Sequence, residues 1–439
     1  MSGTFQGYRG EALKVLKRAG AEIEDHVRII KNGMVYEGIL IPRSEHSDDK
    51  HLVIKIKSGY NIGIRLTPET KIEKIGAGEK LTFNPPPLPE QKPTLPRVTI
   101  LSTGGTIASR VDYRTGAVRP AISANDLYSI IPELSDVALI DAEILFSMFS
   151  EDLTPSHWVK ISEAVAKHIE DGVDGVVITH GTDTMAYTGA ALSFALQDLP
   201  VPVVLVGAQR SEDRPSSDAA SNLIGAVLTA AKAPFAEVVI AMHENISDGS
   251  VILHRGTKAR KCHTSRRDAF KSINVSPLAR ITDSQITLLN EEYRKRNPER
   301  KLVLKANFDD KVALIKFYPG MNPKIIDWCV SEDYRGIILE GTGLGHVSRR
   351  CFTSIREAIK RGIIIAMTSQ CIWGRVNMNV YYNGRDLLSM GVIPLEDMLP
   401  ETALVKLMWV LGQTEDLEEA KHLLKTNVAH EISERSIKM

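Results

Sequence analysis

The sequence predicts an α/β protein with open parallel sheets in two successive units, preceded by a small antiparallel β-barrel. Three observations carry this expectation. Short runs of β-branched and apolar residues such as Val98–Leu101 and Val176–Ile178 end in glycine-containing turns and alternate with helical patterns, the texture of repeated βα units. Some forty residues near the N-terminus alternate apolar and polar side chains with no helix to cover them. Between these regions, Asn84–Pro96 reads NPPPLPEQKPTLP, six prolines in thirteen residues, which neither a helix nor a central strand accepts.

The 439-residue length exceeds one ordinary domain, and 43% hydrophobic with 25% charged residues is enough for a large core. Lysine plus arginine equals aspartate plus glutamate at 54 each, a balance that gives no support to an extended nucleic-acid surface. Cys262, Cys329, Cys351 and Cys371 form no CxxC pair, which argues against a zinc knuckle or a disulfide framework. MSGTFQGYRGEALKV lacks a signal-peptide core and no run approaches a membrane span, so the expected location is the cytoplasm with no membrane contact.

Taken in order, Tyr8–Ala19 sets Ala12, Leu13 and Leu16 at helical spacing and meets Gly20 as a stop. From Asp25 to Leu66 the texture is strand, with Asn32-Gly33 between two runs as a hairpin signal. Four or five short strands here predict a barrel of the SH3 or Sm-like kind within residues 1–83. Such a fold names no function. Docking of a partner protein is its first reading and RNA contact through Lys and Arg its second. Residues 84–96 form the linker.

The first α/β unit is expected over 97–290. Its opening, RVTILSTGGTIAS, is a buried strand running into Thr103-Gly104-Gly105-Thr106. Adjacent glycines let backbone amides approach a ligand at the carboxyl end of a sheet. Two readings stand: a tight turn whose hydroxyls satisfy its own backbone, or a nucleophile loop. Arg110–Pro120 is polar and turn-rich, either a lid carrying Tyr113 or an ordinary surface loop. Ser123–Ile131 and Thr154–Glu170 read as helices, the latter with Thr154-Pro155 as cap and first turn. Ile144–Leu153 reads as a strand running into Ser150-Glu151-Asp152, which holds a polar substrate or caps the next helix.

Asp174–Ala186 repeats the strand, glycine and threonine arrangement, ending in His180-Gly181-Thr182-Asp183-Thr184. A hydroxyl is a weak nucleophile near neutrality and needs a base beside it, which Thr182 and Asp183 could help to supply. An isolated His180 reads as a packed histidine rather than a ligand. Arg255–Ser272, RGTKARKCHTSRRDAFKS, is strongly basic. It is either a solvated or RNA-facing loop, or the source of one lysine buried beside Asp183 as a proton relay. Residues 291–310 are charged and read as a connection; 311–439 read as a second, smaller α/β unit. Its EGTGLGH segment lacks the lysine and hydroxyl of a phosphate loop, so no nucleotide site is expected, and Glu415–Lys425 reads as an amphipathic helix.

TGGTIA after the first strand, ITHGTDTM after a later one, VGAQR, and the K-x-x-T…AFKS segment together resemble the bacterial-type L-asparaginase family, from about Arg97 to Leu424. The resemblance implies an asparaginase-like pair of open parallel sheets, Thr106 as nucleophile, and Thr182, Asp183 and Lys261 as a second catalytic group. Lys261 is matched because it lies nine residues before Phe270, the family's spacing. Tyr113 falls at the lid tyrosine and Ser150 at a holder of the substrate α-carboxylate. Asp183 either relays protons or binds the α-ammonium. Glu151 stands where these enzymes usually carry glutamine, which leaves the choice between glutamine and asparagine open. No metal is implied, and a pocket completed by a neighbouring subunit implies at least a homodimer.

The barrel and linker ahead of such a core resemble the asparaginase-like subunits of archaeal tRNA-dependent amidotransferases. That resemblance implies ammonia release from glutamine within a heterotetramer, with no cofactor on this chain. ATP and magnesium would belong to an ATP-dependent amidotransferase partner of the E type, which would also make most of the contact with tRNA(Gln). A stand-alone asparaginase or glutaminase, and a silent scaffold, are the alternatives.

Overall fold

The computed structural model describes residues 5, 7–43, 48–56, 61–77, 93–105, 109–112, 117–120, 127–128, 131–210 and 217–435. Helix α1 (Gly10–Ala19) buries Ala12 and Leu16 and ends at Gly20, whose φ of 59° suits the glycine. Strands β1 (Asp25–Lys31), β2 (Met34–Leu40), β3 (His51–Lys55), β4 (Asn61–Arg65) and β5 (Lys71–Ala77) form one antiparallel sheet in the order β4-β3-β2-β1-β5. Asn32 and Gly33, at φ 51° and 76°, join Lys31 to Met34 as a two-residue turn with both centres left-handed. Val27, Ile29, Leu40, Leu52 and Ile54 point inward with the helix residues, and the buried Tyr8 hydroxyl donates to the Ile41 carbonyl at 2.8 Å. Among the described residues β4 and β5 are the outer strands, with no pairing between them.

The central sheet starts with β6 (Arg97–Ser102) and takes up β7 (Leu139–Ile144), β8 (Gly175–Thr179), β9 (Val203–Val206), β10 (Val238–His243), β11 (Ser250–Arg255), β12 (Ala279–Thr282) and β13 (Gln285–Leu288). The order is β13-β12-β11-β10-β9-β8-β6-β7. The five strands from β7 to β10 are parallel, as the apolar runs predict. From β11 onward the sheet is antiparallel, so the expected open parallel sheet covers only its five strands from β7 to β10. Only residues 244–249 separate β10 from β11, too few for the crossover a parallel neighbour requires. A second correction concerns Ile144–Leu153. The strand ends at Ile144 because its neighbour β6 ends at Ser102, whose carbonyl takes the Leu145 and Phe146 amides instead.

Helix Ala219–Lys232 covers one face of this sheet, while Pro155–Glu170 and Met185–Ala195 cover the other. Thr154 caps Pro155–Glu170 as read from the sequence, in a box closed by His157. The chain then builds β14 (Val312–Lys316), β15 (Gly336–Gly341), β16 (Ile364–Ser369) and β17 (Ile393–Pro394) into a parallel four-stranded sheet. Helix Pro400–Gln413 packs between Met185–Ala195 and the strands of this second sheet, and Trp409 stacks on Phe194 at 5.7 Å. Residues 291–310 are more than a tether. Val303–Leu304 pairs with Leu196–Gln197, Arg296 donates to the Ala231 and Asp174 carbonyls, and Arg300 donates to that of Leu199. Among the described residues no helix is long and apolar enough to cross a membrane.

Candidate active site

β6 is the first strand laid down; the chain adds β7 on one side of it and then crosses to β8 on the other. The order of strands therefore reverses between β6 and β8, and loops leaving their carboxyl ends diverge to leave a crevice. Thr103-Gly104-Gly105 follows β6 and His180-Gly181-Thr182-Asp183 follows β8. Thr103 is buried, and its amide and hydroxyl both donate to the Thr179 carbonyl at 3.1 and 2.9 Å, so this threonine ties the loop to the end of β8 rather than to its own turn. Gly104, at φ 116°, lies against the Met148 backbone, where a Cβ would strike the carbonyl. This close approach brings the 147–152 loop alongside, and the three loops enclose a cleft of ≈ 730 Å³.

Thr182 and Asp183 line the cleft, and Lys261 reaches them from a separate ribbon. Its Nζ donates to Thr182 Oγ1 and Asp183 Oδ1, each at 2.8 Å. The ribbon pairs Ala259–Lys261 with Phe270–Ser272 and sets Lys261 opposite Phe270. Phe270 is fully buried among core residues that include Met185 and Leu192, which anchors the short strand carrying the lysine. The nine-residue spacing thus has a physical meaning: it is one turn of this hairpin. Ser150 is buried, with its carbonyl accepting from Thr184 Oγ1 at 2.7 Å, while Glu151 and Asp152 are exposed on the cleft wall. Thr106 and Tyr113 lie outside the described residues.

The other cations of the basic segment are committed within the chain. Arg260 pairs with Glu401, Arg266 and Lys271 with Asp268, and Arg267 with Asp248. Lys258 is fully buried against Asp397, 2.8 Å away in the second unit. Each cation of this loop thus has a carboxylate beside it within the chain. Among the described residues no three His, Cys, Asp or Glu side chains are grouped to hold a metal ion.

Comparison with known proteins agrees with this arrangement. Residues 97–294 match the family model "Asparaginase, N-terminal", 311–424 match "Glutaminase/Asparaginase C-terminal domain", and 21–75 match "GatD N-terminal domain". The L-asparaginase of Thermococcus kodakarensis superposes with a TM-score of 0.69 at 32% identity, covering 77% of this chain and 100% of that one. L-asparaginase I of Vibrio cholerae gives 0.68 at 30% identity, with 77% and 99% covered. Over nearly the whole chain, the D subunit of the Thermofilum pendens glutamyl-tRNA(Gln) amidotransferase is 50% identical, covering 98% of this chain and 97% of the relative. Its Pyrococcus furiosus counterpart is 52% identical, with 95% and 96% covered. The chain belongs to the family of glutamyl-tRNA(Gln) amidotransferase D subunits.

In this D-subunit family member, His180 is a structural group. Its Nδ1 lies 2.6 Å from the Gly181 carbonyl, which only accepts, so Nδ1 carries the proton. Nε2 then accepts from the Thr188 hydroxyl at 2.9 Å, and that hydroxyl accepts the Trp158 indole N–H at 3.2 Å. The neutral ring fixes the carbonyl of the residue just before Thr182. Burial pushes the His180 imidazole down to about 4 and that of His254, bonded to Ser272, down to about 3. Both lie below the ordinary 6.5, so between these values the unfolded chain binds protons that the folded chain refuses. Stability is therefore full above 6.5 and falls as pH drops toward 4. Urea unfolding across that window is expected to show the decline, and His254→Gln, away from the cleft, to flatten part of it.

One set of positioning residues was not visible in the sequence pattern. The buried Asp218 accepts from the Gln209 and Arg210 amides at 3.0 and 2.9 Å, and Asn222 donates to the Gly207 carbonyl at 2.9 Å. Gly207 is so close to Thr182 that a Cβ there would sit 2.7 Å from its methyl group. An Asp one turn before Asn at the start of a helix was the only available signal, and it reads first as a cap.

Proposed function

We propose that the chain is the ammonia-releasing subunit of a tRNA-dependent amidotransferase that converts glutamyl-tRNA(Gln) into glutaminyl-tRNA(Gln) in the cytoplasm. The observation that carries this reading is the Lys261–Thr182–Asp183 contact at the sheet's reversal point, in a chain whose full length follows that of the D-subunit relatives. Thr106 attacks the carboxamide carbon of glutamine, the tetrahedral intermediate collapses, and ammonia leaves with one added proton while a glutamyl ester forms on Thr106. Water then adds to the ester, its proton passing toward Thr182 and Lys261, and glutamate leaves as the Thr106 hydroxyl is restored. Backbone amides of the glycine loops stabilise the developing oxyanion. Ser150, Glu151 and Asp183 hold the amino-acid end, and Tyr113 belongs to the closing segment.

This chain needs no cofactor for these steps; ATP and magnesium belong to the amidotransferase partner of the E type, which carries most of the tRNA(Gln) contact. Homodimerisation is supported by exposed apolar side chains after β16, namely Ile372, Trp373, Val380, Tyr381 and Tyr382, 43–77% exposed. The likeness to L-asparaginases favours a second reading, hydrolysis of free asparagine or glutamine without a partner. Ammonia release from each amino acid, measured with and without partner and glutamylated tRNA, separates the two. Stimulation by both additions supports the amidotransferase; fast hydrolysis indifferent to them supports the free-standing enzyme. Light scattering of the same preparation at about twice the chain mass supports the homodimer.

A further inference from the structure

We infer that a groove on the N-terminal barrel is the docking site for an extended acidic and aliphatic segment of the partner protein, an inference that rests on the amidotransferase reading above. The groove, of ≈ 790 Å³, lies between α1 and the ends of β4 and β5. Its floor is aliphatic, with Val15, Leu66 and Ile72 half-buried. Around it stand Arg18, Lys50, Arg65 and Lys71, all exposed, and none of the four makes an ion pair among the described residues. The two rim carboxylates are already answered: Glu11 by Lys14 at 2.9 Å and Glu73 by Arg28 at 3.8 Å.

The contrast with the basic hairpin near the cleft is what gives this charge its meaning. There every cation has a carboxylate from its own chain; here four are left over beside an apolar floor. Unpaired cations flanking a hydrophobic trough favour an anionic partner that also buries aliphatic side chains. Among the described residues no aromatic ring lines the trough, so they offer no platform for stacked bases. Among the described residues β4 and β5 each keep one unpaired edge, which suits an extended segment.

The test uses the full-length chain and its purified amidotransferase partner, titrated by calorimetry at about 0.1 M salt, where surface charges are still felt over roughly 10 Å. The triple reversal Arg18→Glu, Arg65→Glu, Lys71→Glu is expected to weaken binding at least tenfold. Lys17→Glu, on the same helix but off the groove, is expected to leave it unchanged. Hydrogen exchange on the wild-type pair supplies a readout free of folding artefacts, with new protection expected over residues 65–73. Tight binding by the triple variant with no protection there overturns the groove while leaving the amidotransferase reading intact. Failure of the wild-type chain to bind the partner at all overturns that reading instead. If the triple variant loses affinity for tRNA but keeps it for the partner, the groove is an RNA site and the inference is wrong.

Discussion

Lys261→Met lowers glutamine-dependent ammonia release by about a hundred- to ten-thousand-fold, the range in which a positioned proton-transfer group contributes. The lysine is the only side chain seen to touch both Thr182 Oγ1 and Asp183 Oδ1 among the described residues, at 2.8 Å each, and its own side chain is 13% exposed. Removing it takes away the ammonium that donates to both Thr182 and Asp183. Methionine keeps the aliphatic length, so the ribbon opposite Phe270 should fold unchanged. Lys261→Arg separates two roles. Guanidinium keeps the positive charge but does not release its proton near neutrality. If Lys261 moves protons, arginine fails as badly as methionine in kcat while KM changes little. Recovery of kcat by arginine, with the pH profile unaltered, would reduce the lysine to an electrostatic anchor.

The largest effect on stability is expected from Glu431→Ala, at about 3–5 kcal/mol, the cost typical of breaking a buried ion pair by removing one partner. Lys406 and Glu431 are both fully buried, with Nζ and Oε1 2.5 Å apart. Glu431 also accepts from the Val428 and Ala429 amides at 3.0 and 2.6 Å, so it ties the C-terminal tail to helix Pro400–Gln413. Burial already pushes the Lys406 ammonium down, and without its partner the group is driven further toward the neutral form. The loss in urea unfolding should therefore shrink as pH rises. Adding Lys406→Met to Glu431→Ala should recover part of it, because a neutral pair costs less to bury than a lone charge. A loss below about 1 kcal/mol in the single variant would mean that the tail detaches at little cost.

The parts legible from sequence are those whose determinants are local. Val176–Ile178 reads as a strand because burial on both faces demands an uninterrupted apolar run. Asn32-Gly33 reads as a turn because two left-handed positions select those residues. Thr182, Asp183 and Lys261 were nameable through family spacing, and the hairpin opposite Phe270 explains that spacing afterwards. What stayed hidden depends on neighbours distant in the chain. Ile144–Leu153 is apolar enough for strand throughout, yet the end of β6 decides where pairing stops. The charge run at 255–272 looked free because most of its carboxylates, from Asp183 to Glu401, lie outside the run. Lys258 looked like one more surface lysine, and only the fold brings Asp397 to it across 139 positions.

Residues 291–310 hold several tryptic sites, Arg294, Lys295, Arg296, Arg300, Lys301 and Lys305 among them, in the segment joining the two α/β units. Yet that segment is laced to the first unit by the pairing of Val303–Leu304 with Leu196–Gln197. The units are also held together directly, by the Phe194–Trp409 stack and the Lys258–Asp397 pair. Covalent continuity through the joint is thus not what keeps the halves in register. A chain nicked there should elute as a single particle, and two separately expressed fragments divided at that point should find each other and reconstitute the cleft.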